Sequence, residues 1–207
     1  MPESNYRLNQ ITIVLTTVTV ILFGCILIYT IGKDNLSYLI NGYHTPKMDI
    51  IMKYLTHGGD GVFAVVLALY WMFFVNRKES YYLLLTYGAS SLITQSLKRI
   101  YFYDTLRPIK MLALEKVHLI EGVILNQQLS FPSGHATSAF AVAVGLSLII
   151  NRARVSIVFI CIATIVAISR VYLLQHFTTD IIAGAAIGSI CAYTIFFVMK
   201  MNRNTNA

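Results

Sequence analysis

The sequence predicts an all-α protein: an integral membrane bundle of six transmembrane helices with a polar site at one membrane rim. Three observations carry that prediction. Of the 207 residues, 57% are hydrophobic and only 12% are charged, about half the charged share of a soluble domain. Five or six long apolar runs account for the imbalance. The ionisable residues, which membrane helices exclude unless they are paired or needed, gather at the ends of those runs.

Roughly 20 apolar residues cross a bilayer, fewer where polar flanks share the span. The runs that meet this measure are 11–31, 57–75, 81–97, 133–150, 155–174 and 181–199. The run 11–31 is too long for the centre of a secretory signal peptide. "IYTIGKDN" after it offers no small-x-small cleavage site, so it reads as a retained span. The second run is short if counted from Gly61, and is expected to begin earlier, near Leu55. Short basic loops, "NRKES" and "NRARV", join the second span to the third and the fourth to the fifth. The connection from Gly32 to Asp60 mixes polar and apolar residues, as one or two interfacial helices do. The connection from Lys98 to Pro132 is irregular. No repeat or linker divides the chain, so residues 1–207 read as a single domain.

Composition excludes several functions. The net charge of +7 is spread over short clusters between apolar runs, with no basic face interleaved with aromatics, so no nucleic acid partner is expected. Cys25, Cys161 and Cys191 lie inside apolar runs and suit packing rather than a disulfide, zinc or redox pair. With both termini cytoplasmic, Arg7, Arg77, Lys78, Arg152, Arg154, Lys200 and Arg203 face inward, seven against nine Lys/Arg on the other side. The balance becomes seven against five once Lys98, Arg99, Arg107 and Arg170 are set aside for a site.

Span counting brings three polar clusters to one rim: "KRIYFYDTLRP" after the third span, "PSGH" opening the fourth, and "SRVYLLQHFTTD" closing the fifth. Lys98, Arg99, Arg107 and Arg170 supply donors that suit phosphate oxygens. Ser133 and Gly134 offer a hydroxyl and an N–H where a helix begins, a place that favours anions. His176 and Asp180 are four apart, hence neighbours on a helical face. A carboxylate on one imidazole nitrogen leaves the other free as a nucleophile. His135 is the second imidazole, suited to protonate a leaving alkoxide.

"PSGH" (Pro132–His135) and "SRVYLLQHFTTD" (Ser169–Asp180) resemble the second and third motifs of the type 2 phosphatidic acid phosphatase (PAP2) superfamily, the third matching SR-x5-H-x3-D throughout. The first motif, K-x6-RP, is present with eight residues between Lys98 and Arg107 instead of six. The resemblance implies a membrane phosphatase acting on a lipid phosphate or diphosphate without a metal or other cofactor. It implies His176 as the nucleophile that becomes phosphohistidine, Asp180 as its orienting partner, and His135 as acid and then base. Lys98, Arg107, Ser133, Gly134 and Arg170 would hold the phosphate, with Arg99 competing with Lys98 for the lysine role. The active site would face the exterior or periplasm from a bacterial cytoplasmic membrane.

Competing readings remain. A phosphotransferase would pass the same phosphoryl group to a sugar or lipid hydroxyl. Vanadium haloperoxidases share the superfamily but are soluble, and a transporter would place its ionisable groups near the bilayer midplane. Outside the motifs, His44, His57 and His118 read as structural. "THGGDG" (Thr56–Gly61) reads either as part of the pocket or as a glycine turn with a capping aspartate. Gly184 and Gly188 suit close helix packing within the bundle. Glu115, Lys116, His118 and Glu121 fit a solvated loop helix, with a lid or head-group sensor as the alternative. The oligomeric state is open.

Overall fold

A computed structural model describes residues 3–199, with side chains from Tyr6 onward; Lys200 and Arg203, counted above for orientation, lie outside the described residues. The described residues form helices and no strands. In order these are α1 (Glu3–Ile31), α2 (Lys33–Gly42), α3 (Pro46–Leu55), α4 (Gly61–Phe74), α5 (Arg77–Ser96), a single turn α6 (Pro108–Met111), α7 (Gly134–Ile150), α8 (Ala153–Tyr172) and α9 (Thr178–Val198).

Local chemistry sets several boundaries. Asn76 caps α5 by accepting the Glu79 N–H, so this helix begins at Arg77 and not at residue 81. Thr45 caps α3 through the Met48 N–H, with Pro46 in the first turn, where its missing N–H costs nothing. Asn151 ends α7 in the left-handed conformation. The second apolar run divides: α3 and a 3-10 turn (Thr56–Gly59) meet α4 at a bend of 58°. The helix of this run therefore starts at Gly61, while the Gly32–Asp60 connection supplies the two short helices α2 and α3.

Residues Tyr6–Ile31, α8 and α9 are each long and apolar enough to cross a membrane, and α3 with α4 makes a fourth if the bent pair is one span. At 17 residues α7 is shorter. Its neighbour α5 buries Ser80, Thr86, Ser90 and Thr94, polar residues that lower its hydropathy.

The bundle is built with its polarity reversed. Leu15, Phe23 and Ile26 of α1 and Phe73 and Phe74 of α4 are exposed, whereas Asn9, Ser147, Asn151 and Ser156 are buried. Asn9 donates to Asn151 Oδ1 at 2.9 Å and to the Ser147 carbonyl at 3.2 Å, and accepts from Ser156 Oγ at 2.7 Å. Such internal pairing is what an apolar surrounding demands of polar groups. The central element is α7, packed against α5, α8 and α9. Its contact with α9 needs Gly184 and Gly188: a Cβ at Gly188 would meet the Thr137 carbonyl and the Ala141 N–H, and one at Gly184 the Ser133 carbonyl. The glycine pair therefore packs inside the bundle. Cys25, Cys161 and Cys191 are free thiols.

Candidate active site

The ends of α5 and α8 and the starts of α7 and α9 bring the predicted residues together. After Tyr172 the chain leaves α8 in a tight turn, with the Gln175 and His176 N–H groups both donating to the Arg170 carbonyl (2.9 and 3.3 Å). This turn points His176, 2% exposed, back over the bundle. Its Nδ1 lies 3.3 Å from Asp180 Oδ2. Asp180 sits in the first turn of α9, where its carboxylate also accepts the Phe177 N–H at 3.0 Å, a stabilising place for a negative charge.

Two hydroxyls add to the carboxylate's shell, with Thr179 Oγ1 donating to Asp180 Oδ1 at 3.1 Å. Ser130 Oγ donates to Asp180 Oδ2 at 2.5 Å. Ser130 was not among the residues the sequence singled out, and its only signal was its place just before "FPSGH". With Nδ1 held by Asp180, His176 Nε2 has no protein partner among the described residues. Burial, joined by the neighbouring cations Arg107 and Lys98, pushes this imidazole well below its ordinary pKa against the pull of Asp180. The ring is thus held neutral, with a lone pair available.

The "PSGH" segment is fixed to the same place: the Ser133 N–H donates to the Asp180 carbonyl at 3.0 Å, and Ser133 Oγ caps α7 at the Ala136 N–H, 3.4 Å away. Phe131–Pro132 is a cis peptide. Gly134 begins α7 with open space where a Cβ would stand. The helix end thereby presents backbone N–H groups to an incoming anion.

Three buried cations surround His176. Lys98 and Arg107 are 7% and 8% exposed, and Arg170 is 9% exposed. Four of the five Arg107 N–H groups are used: Nε on the Gln128 carbonyl, Nη1 on the carbonyl and Oε1 of Gln175, and Nη2 on the Leu129 carbonyl. Arg107 therefore clamps the loop before "PSGH" to the turn before His176, and one N–H remains. Arg170 donates from Nη1 to Thr56 Oγ1 at 2.7 Å, and its buried Nε has no partner among the described residues. Lys98 makes no hydrogen bond or ion pair among the described residues. It sits in a π-helical turn (Leu97–Tyr101) beyond the end of α5, closed by the Phe102 N–H on the Leu97 carbonyl at 3.0 Å. The wider turn takes up part of the extra spacing in the first motif. It buries Lys98 and exposes Arg99, which separates the two competitors. Burial, then Arg107, pushes Lys98 down to about 8.

His135 is in the first turn of α7, with Nε2 2.7 Å from Asp60 Oδ1. The "THGGDG" turn thus touches the site, and Asp60 makes no side-chain cap on α4. His118 and His44 lie elsewhere: their rings stack at 3.9 Å, and His118 Nε2 meets Asp49 Oδ2 at 2.9 Å. In place of a loop helix, residues 114–116 form a single 3-10 turn. Among the described residues no group of three His, Cys, Asp or Glu side chains is arranged to hold a metal ion.

Converging cations, a carboxylate-held imidazole and the capped start of α7 meet at one end of the helical bundle, a set of groups suited to an anion. The sequence profile of the PAP2 superfamily matches residues 79–204, and the chain belongs to that superfamily. It is 27% identical to phosphatidylglycerophosphatase B of Bacillus subtilis over 168 residues, 75% of each chain. With undecaprenyl-diphosphatase BcrC of the same organism it shares 24% identity over 157 residues, 74% of this chain and 76% of the relative. Among solved structures it resembles LpxE of Aquifex aeolicus, with a TM-score of 0.68 and 26% identity over 78% of this chain and 93% of that one. It also resembles a PAP2-type phosphatidylglycerolphosphate phosphatase from Bacillus subtilis, with a TM-score of 0.62 and 26% identity over 91% and 98%.

Proposed function

We propose that this protein is a metal-independent membrane phosphatase that hydrolyses a lipid phosphate or diphosphate through a phosphohistidine. The observation that carries the reading is the buried cationic cluster beside His176, in which Lys98 makes no hydrogen bond or ion pair and Arg170 Nε has no acceptor among the described residues. Burying unpaired charge is costly, and a phosphate dianion supplies the missing acceptors.

His176 Nε2 attacks phosphorus, the phosphorus–oxygen bond to the lipid breaks, and His135 gives the leaving oxygen its proton. His135 then takes a proton from water as that water attacks the phosphohistidine, releasing inorganic phosphate and restoring both imidazoles. Asp180, steadied by Ser130, keeps Nδ1–H of His176 in place. Lys98, Arg107, Arg170, Ser133 and the Gly134 N–H stabilise the equatorial oxygens.

An apolar cavity of about 510 Å³ between α4, α7 and α8 starts at Gly58, beside the site, and runs past Leu67 to Trp71. It suits the substrate's chain, with the phosphate at the rim. Residues 1–207 form one domain in which α1, α3 with α4, α5, α7, α8 and α9 are six spans. The site opens to the exterior or periplasm of a bacterial cytoplasmic membrane.

Phosphate release from phosphatidic acid, phosphatidylglycerol phosphate and a polyprenyl diphosphate, measured in detergent with EDTA, tests this function. Release from at least one, without any acceptor alcohol, is expected. Release that appears only with an added acceptor would make the protein a phosphotransferase, and an absolute need for magnesium would overturn the mechanism.

A further inference from the structure

Asp60 and His57 have no place in the three motifs, yet they form a second imidazole–carboxylate pair against the site. Asp60 Oδ1 meets His135 Nε2 at 2.7 Å, and Asp60 Oδ2 meets His57 Nδ1, also at 2.7 Å. Both carboxylate oxygens are therefore committed to imidazoles, although Asp60 stands at the start of α4, where an aspartate ordinarily caps the helix.

The turn bearing these residues is fitted to the site. A Cβ at Gly59 would stand 2.8 Å from the His135 carbonyl oxygen and 2.9 Å from its Cβ, so only glycine lets the backbone approach this closely. A Cβ at Gly61 would strike the Tyr87 hydroxyl. Thr56, on the same turn, accepts a hydrogen bond from Arg170 Nη1.

We propose that Asp60 is a positioning residue for His135, fixing the orientation and tautomer of its imidazole, and that His57 holds the carboxylate in place. The inference rests on the phosphohistidine reading above. With Nε2 in ion-pair contact with Asp60, Nδ1 is the nitrogen left for chemistry, and it makes no hydrogen bond among the described residues. As an acid, His135 takes up a proton at Nδ1 once the phosphate dianion is bound, and the imidazolium rests beside Asp60. It gives the Nδ1 proton to the leaving oxygen and keeps Nε2–H beside the carboxylate. As a base, the same neutral tautomer accepts a proton from water at Nδ1. Without the carboxylate the ring turns and its second tautomer is populated, so both steps slow while phosphate binding is untouched.

Two substrates separate this role from a structural one. A lipid phosphate expels an alkoxide that needs a proton, whereas para-nitrophenyl phosphate expels a phenolate that leaves without one. Asp60→Asn is expected to lower kcat on the lipid phosphate roughly 10–100-fold, with KM within about twofold. On the aryl phosphate it is expected to keep the burst of nitrophenolate but to accumulate phosphoenzyme, because the hydrolytic step lacks its base. His57→Gln is expected to show the same pattern at roughly 2–5-fold.

A nitrophenolate burst slowed as much as lipid turnover, a change in KM alone, or no change in either variant would overturn the inference. His176→Ala separates it from the reading beneath it. Turnover surviving in His176→Ala would overturn the phosphohistidine itself. Loss there with unaltered Asp60→Asn kinetics would overturn only the role of Asp60.

Discussion

Holding Lys98 charged while it is buried beside Arg107 is costly, and this gives a pH dependence with a definite sign. Its ammonium titrates near 8 rather than 10.5, chiefly because it is buried and then because Arg107 lies beside it. The difference corresponds to about 3 kcal/mol in favour of the neutral amine. A phosphate oxygen about 4 Å away returns roughly 4 kcal/mol per unit charge at an effective dielectric of 20, enough to restore the proton. The free enzyme therefore loses a cationic donor above pH 8, while the substrate complex retains it.

The ratio kcat/KM reports the free enzyme, so it is expected to fall about tenfold per pH unit above 8. The basic limb of kcat alone lies higher. Lys98→Arg, whose guanidinium stays protonated, removes the limb from kcat/KM.

Stability moves with the same proton. Because the folded pKa is depressed, the unfolded chain binds more protons between pH 8 and 10.5, and stability rises across that window by up to about 3 kcal/mol. Lys98→Met abolishes the rise in thermal unfolding followed in detergent. An unshifted basic limb in Lys98→Arg, or a wild-type kcat/KM flat to pH 10, would refute the reasoning.

Other residues give independent outcomes. Gly188→Ala drives a methyl group into the Thr137 carbonyl, and is expected to cost about 1–3 kcal/mol in unfolding measurements; an unchanged midpoint would mean that α7 and α9 are not so closely packed. Ser130→Ala removes a hydrogen bond to the Asp180 carboxylate worth about 1.5–3 kcal/mol. Its kcat is expected to drop roughly 10-fold or more, and wild-type kinetics would remove Ser130 from the site. Arg99→Ala is expected to leave phosphate release near wild type, since Arg99 is exposed, whereas Lys98→Ala loses at least about 100-fold; the reverse order would exchange the two roles.

What the sequence revealed was what local spacing encodes. The i, i+4 relation of His176 to Asp180 is a property of one turn and is found where the spacing put it. The runs 11–31, 155–174 and 181–199 are helices long and apolar enough to cross a membrane, whereas the second run divides and the third begins at Arg77. The alternation of span ends brought Lys98, Arg107, Ser133 and Arg170 to the same rim. Ser130 and Gln175 were illegible, and Asp60 was left between a pocket and a capping role, for the opposite reason. Each acts through a contact with a segment dozens of residues away, and no periodicity marks a serine that meets Asp180 or a glutamine that meets Arg107. The choice between Lys98 and Arg99 depended on a π turn that changes which side chain faces inward, a register shift invisible in composition. The break before α4 was hidden because "THGGDG" reads equally as a cap, and only the approach of His135 shows what the turn serves.

The most direct test of the account is to quench the enzyme during turnover of its best substrate, labelled in the phosphate, and to locate the label by mass spectrometry. The account predicts an acid-labile, alkali-stable phosphoryl group on His176, absent from His176→Ala, which also releases no phosphate. Label on another residue, or phosphate release by His176→Ala at the wild-type rate, would contradict it.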